Sequence, residues 1–375
     1  MMKRITIIII GLLLFSLPVA AEKAPYEDFY MSQYETAGAD NLQNYLPEEA
    51  RDYLKENNID PSLSGLTEYI EPQNVFSHIW GFLKSGVKAP LVSGAVILCI
   101  TLISAALGGM DMKGASSVAT GYAVSLSAAA AIISPVFAVI SAATNALKGC
   151  ATFMTAFVPV FAVIVTASGA VATSLSMSGL LLGACQAVNL ISDFIIMPLM
   201  GGYLAISLAS GVSPLVENSG IAAGIKKLCY WTMSLLTTVF LGILSIQTAV
   251  NASADTLSLK TAKFIIGSSV PMAGTALSEA LTTVTASMGM LKTTIGIYGV
   301  IACAVLFLPL LAELVLWRIT FNITAVLSDL LSVPKISTVL RCGDTVLSVL
   351  IGIILLTAAM FIISLGVVLS AGGTK

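Results

Sequence analysis

The stretch that decides the fold runs from Phe157 to Met200 and reads FVPVFAVIVTASGAVATSLSMSGLLLGACQAVNLISDFIIMPLM. It opens on Val158-Pro159, closes on Met197-Pro198-Leu199-Met200, and carries a single charged residue, Asp193. A similar layout returns about one hundred and ten residues later, opened by Val270-Pro271 and closed by Leu308-Pro309-Leu310-Leu311. The first copy is followed by Lys226-Lys227-Leu228-Cys229 and a long apolar run, the second by Arg341-Cys342 and another. Such an echo suggests a tandem duplication of a membrane unit, over about 151–256 and 264–371.

Composition agrees with a membrane protein. Of 375 residues, 57% are hydrophobic and only 10% charged, whereas soluble domains carry about 25% charged residues. The charges are unevenly placed. Residues 22–88 hold 12 acidic and 5 basic side chains, and residues 89–375 hold 8 and 11. The two regions therefore face different solvents. No basic stripe is present to grip phosphates, so nucleic acid is not an expected partner.

Residues 1–21 read as a signal peptide: Lys3 and Arg4, an apolar core from Ile5 to Phe15, then Val19-Ala20-Ala21 as a cleavage site. This predicts that 22–88 lies outside the cytoplasm. All six cysteines fall outside that segment, which therefore has no disulfide framework. Neither a metal site nor a cofactor is expected, because His78 is the only histidine and no Cys pair has ligand spacing.

Within the exported segment, Pro47-Glu48-Glu49 starts a short helix whose apolar side is Ala50, Tyr53 and Leu54. A second helix puts Val75, Phe76, Ile79, Trp80 and Leu83 on one face and ends in Lys84 and Lys88. That pattern fits the membrane–water boundary, with His78 on the solvated side. From Ala89 onward, charge-poor runs fall at about 89–109, 116–143, 151–170, 174–198, 199–215, 228–250, 264–290, 294–316, 319–332 and 345–371. The expected fold is thus all-α: a polytopic transmembrane helical bundle of seven to ten segments over 89–375, preceded by the small exported segment.

Small residues recur at every fourth position in three ladders: Ala119, Ala123, Ser127 and Ala131; Gly179, Gly183 and Ala187; Gly201, Ala205, Ala209 and Ser213. Such ladders let helices approach closely, either inside one monomer or along the seam of a homo-oligomer. Pro159, Pro198, Pro271 and Pro309 sit in or beside apolar runs, where each removes a backbone donor. Broken helices with freed backbone groups are common transporter sites, so these prolines, with Asp193 and Glu279, are the candidate conduit or packing residues. Glu279 is the one charge between Phe264 and Leu291 and is expected to face protein or water. Glu313, Arg318 and Asp329 read as helix ends at the headgroups.

No enzyme is expected. The chain lacks a phosphate-binding loop, a zinc helix and a serine nucleophile elbow. Gly343-Asp344 resembles half of an intramembrane aspartyl protease motif, but no partner aspartate stands in a matching context.

The order of parts resembles the stage III sporulation protein AE family. The matching features are the leader, Tyr-Leu-Pro-Glu at 45–48, Val-Phe-Ser-His-Ile-Trp at 75–80, Gly-Ala-Cys-Gln at 183–186 and Ser-Val-Pro-Met-Ala-Gly at 269–274. The resemblance implies a multi-pass subunit, in the mother-cell membrane around the forespore, of the complex joining the two cells. It also implies partners that include an ATPase and ring-forming proteins. Three functions follow as expectations: a conduit or export-platform component, a secondary transporter working alone, or a non-conducting assembly scaffold.

Overall fold

The computed structural model describes residues 34–59, 66, 72–108, 115–212, 219–269 and 274–370. Within these, the side chains of 72–76, 85, 108, 115–118, 211–212, 219 and 251–286 lie outside the description. Among the described residues all regular structure is helical. A 3-10 turn at Ala39–Tyr45 leads into α1 (Glu48–Glu56), α2 (Pro72–Gly86) and α3 (Lys88–Gly108). Then come α4 (Ala115–Ala167), α5 (Val171–Ile191), a π turn (Ser192–Ile196), α6 (Met197–Val212), α7 (Ser219–Ser269), α8 (Gly274–Leu330) and α9 (Pro334–Ser370).

Among the described residues, six helical stretches are long and apolar enough to cross a membrane: 77–107, 119–167, 171–210, 220–250, 287–330 and 334–370. Several of the charge-poor runs fuse into single helices. The gap around Asn145, Lys148 and Gly149 does not interrupt α4, and the gap around Arg318 does not interrupt α8. A single Lys or Arg is a good helix former and ends nothing. Pro135 and Pro159 lie inside α4 and Pro309 inside α8.

What does end the helices is backbone geometry. After α4, Gly169 takes φ 92°, its N–H bonds Thr166 O (3.0 Å), and Ala170 N–H bonds Val165 O (3.2 Å). This pair of bonds closes the orphan carbonyls around a left-handed residue. The same device ends α8 with Ser332 at φ 62°, bonding Asp329 O, while Val333 bonds Ser328 O. It also ends α1 with Asn58 at φ 53°, as Ile59 bonds Leu54 O.

The core is built around α9, the most enclosed of the spans. Lys335 lies by Gly121 at one end and Phe361 by Phe157 at the other, so α4 and α9 run parallel. Phe321 by Gly343 and Leu369 by Gly296 make α8 antiparallel to α9. At Gly299 the three meet so closely that a Cβ would stand 2.5 Å from the Phe157 ring. α5 folds back on α4, fastened by Thr166 Oγ1 donating to Ser174 Oγ (2.9 Å) and Ser174 Oγ donating to Ala162 O (2.7 Å). α7 is the least enclosed span, touching α9 through Met233 at Gly352.

The N-terminal segment packs on this bundle. Leu42, Leu46, Ala50 and Leu54 are buried, and the segment lies on α4 and α8. His78 is not merely solvated as its place on the helix suggests. It shares a hydrogen bond with the Tyr53 hydroxyl, and the Tyr53 ring leans on Phe82.

Candidate functional site

Two ion pairs of the bundle stand where α8 meets α9. Arg318 donates from Nε to Asp344 Oδ1 (2.7 Å) and from a terminal nitrogen to Oδ2 (3.3 Å), a two-point contact. Asn322, one turn on, donates from Nδ2 to the same Oδ1 (2.9 Å) and to Arg318 O (2.9 Å). The two charged side chains are only 26% and 22% exposed. Toward the α8–α9 turn, Arg341 pairs with Asp329 (2.7 Å) and Ser337 Oγ (3.2 Å). Beside the cluster an open groove of about 370 Å³ runs along α8, lined by Val315, Arg318, Ile319, Asn322 and Ile323.

For Glu313 and Arg318 this differs from the sequence expectation of helix-end markers, whereas Asp329 does stand at the end of α8. α8 runs on to Leu330, so Arg318 and Glu313 lie within it. Glu313 instead accepts a bond from Trp317 Nε1 (3.3 Å). Asp344 does not figure among the expected residues. The signal that points to it is one acid standing alone in a long apolar helix, a position costly to occupy without a partner.

The expected site residues do not converge on one point. Asp193 sits in the π turn and pairs with Lys148 of α4 (3.0 Å). Pro198 follows directly. The Met197 N–H bonds Ser192 O, five residues back, so the wider turn absorbs the donor that Pro198 lacks. Pro159 is exposed on α4, and Pro309 is half-buried inside an unbroken α8. Pro271 lies outside the described residues, and so does the side chain of Glu279, which falls near the start of α8. On α2, Ile79 and Leu83 are half-buried, and Trp80 is 52% exposed with Lys84 Nζ 5.8 Å from its ring centre. The Phe76 side chain is outside the description.

The small-residue ladders turn outward over part of their length, with Ala131, Ala187 and Gly201 half-buried. Ala119, Ala123 and Ser127 are exposed on α4. On the continuous rod from Val171 to Val212, the exposed residues include Leu175, Gly179, Gly183, Leu190, Phe194, Pro198, Ala205 and Ala209. An every-fourth-residue ladder drifts about 40° around the helix per step. The π turn inserts one residue and sets the face back by about 100°. Two ladders separate in sequence thereby share one uncovered side of a single rod.

Deeper in, Cys150 and Cys185 line a void of about 10 Å³ with Met154, Leu181, Thr357 and Phe361. It is too small to hold a solute.

Long apolar helices, a half-buried charge cluster and uncovered close-packing faces define a polytopic helical membrane protein. The sequence pattern described as Stage III sporulation protein AE matches residues 58–372, and the chain belongs to that family. It is 29% identical over 238 residues to Stage III sporulation protein AE of Bacillus subtilis (strain 168), covering 62% of this chain. The match spans 58% of that relative's length. No solved structure matches.

Proposed function

We propose that the chain is a membrane subunit of a multi-protein sporulation complex and acts there as a conduit or export-platform component. The observation that carries this is the uncovered side of the Val171–Val212 rod. Gly179 and Gly183 have open space where a Cβ would stand, so another helix can lie close against them. In lipid, close packing of this kind drives helix association. The relative's name supplies the process; the geometry supports an assembled rather than a solitary protein. On this reading the complex sits in the mother-cell membrane around the forespore. Its N-terminal segment faces the space between the cells and meets other subunits, an ATPase and ring-forming proteins among them.

A second reading, a transporter working alone, is favoured by one feature: the Arg318–Asn322–Asp344 cluster opens to a groove along the outer face of α8. Purified chain in liposomes separates the two. A transporter moves a solute, driven by an ion gradient, without partners, whereas a platform subunit does not. A scaffold that conducts nothing is separated by the conductance of the assembled complex with and without this bundle. The direct test of the first reading is crosslinking from the rod in sporulating cells. Recovery of other subunits supports it, and a chain never recovered with them refutes it.

A further inference from the structure

The helices are too long for one bilayer. At about 1.5 Å per residue, α4 rises about 44 Å from Ala119 to Lys148 and a further 29 Å to Ala167. Hydrocarbon is about 30 Å thick. Lys148, where α4 divides, carries the surface ion pair with Asp193, the two side chains being 50% and 34% exposed. At the next residue the N-terminal segment docks: a Cβ on Gly149 would meet Pro47 at 2.6 Å, with Leu306 of α8 beside it. That segment exposes Glu48, Glu49, Asp52, Lys55 and Glu56. Such a collar of charge cannot lie in acyl chains. It cuts the bundle into two tiers, and the bilayer can surround only one.

The lower tier holds α3, α6, the first part of α4 and of α7, the last part of α8 and the start of α9. The α6 rod from Asp193 to Val212 measures about 29 Å. This tier is bounded on both sides. At the collar side stand Trp80 with Lys84, Lys88 and Glu313, which lies by Gly86. At the far side stand Lys335 over the Tyr122 ring and Arg341 with Asp329. Aromatic and basic residues at two levels about one bilayer apart are what a spanning tier needs. The upper tier is the α4–α5 hairpin with the facing parts of α8 and α9. It ends in Ser168-Gly169-Ala170, which carries no charge. Its one described cation, Lys292, is buried and donates to Val368 O (3.4 Å).

We infer that lipid covers only the lower tier, and that the α4–α5 hairpin stands beyond the bilayer on the side where the N-terminal segment packs. The placement puts Arg318 and Asp344 inside the hydrocarbon layer, where their two-point contact and Asn322 satisfy them. The exposed Val163 and Leu175 of the upper tier then meet protein rather than acyl chains.

Relative sidedness tests this in membrane vesicles holding the full chain, and it does not depend on which partners the chain assembles with. Asp52→Cys, Val171→Cys and Leu330→Cys are each treated with a membrane-impermeant maleimide, the parent chain giving the background. Asp52→Cys and Val171→Cys should be modified from the same side, and Leu330→Cys only after permeabilisation. If Leu330→Cys shares a side with Asp52→Cys while Val171→Cys needs permeabilisation, the upper tier is the spanning one and the inference is wrong. Should Val171→Cys stay unmodified on both sides, a photoreactive residue at Leu175 decides. Adducts to protein uphold the placement, and adducts to lipid overturn it.

Discussion

Arg318 and Asp344 stand twenty-six residues apart in sequence, in two different helices, and each is the kind of charge that a membrane helix tolerates only with a partner. Removing one leaves the other half-buried and uncompensated. Asp344→Ala should therefore destabilise the bundle by about 1–3 kcal/mol, read as a lower Tm in detergent. The double variant Arg318→Met with Asp344→Leu should recover much of that loss, because neither charge is then orphaned. A double variant as unstable as the sum of the singles would show that the pair is not coupled. Ser332 holds φ 62° to end α8, a conformation costing a side chain about 1 kcal/mol. Ser332→Gly should raise stability by up to about that amount, and a lowered Tm would contradict the capping account. Glu279→Gln addresses an expected site residue whose side chain lies outside the described residues. If the carboxylate lines a conduction path, the variant should assemble normally and lose transport. If both assembly and sporulation persist unchanged, Glu279 is structural only.

At the level of helices, existence was legible and extent was not. Apolar runs without Gly-Pro punctuation mark helices, and every described run is one. The breaks were misleading because a charge such as Lys148 or Arg318 looks like a helix end when a bilayer is assumed to fill the whole run. Each is instead held by an acid from another helix, Asp193 or Asp344, and pairing between helices leaves no mark on either one alone. The ladders were legible as close-packing surfaces. Their direction was not, since it depends on which side the rest of the bundle occupies, and on a π turn that realigns two of them. The glycines separate these cases. Gly299→Ala should destabilise by about 1–3 kcal/mol, because the Phe157 ring already fills the space. Gly183→Leu finds open space and should leave the isolated chain as stable as before while weakening its association with partners. Equal losses of stability from both would mean that the Gly183 face is covered within the monomer.

For the whole molecule, the picture is a bundle organised on α9, clasped near mid-height by an acidic N-terminal segment and left open along the Val171–Val212 rod. The central claim is that this open side is a seat for protein. Site-specific photocrosslinking at Gly183 and Ala205 of the otherwise intact chain, in sporulating cells, tests it most directly. The account predicts discrete protein adducts from both positions. Lipid adducts alone from both would contradict it.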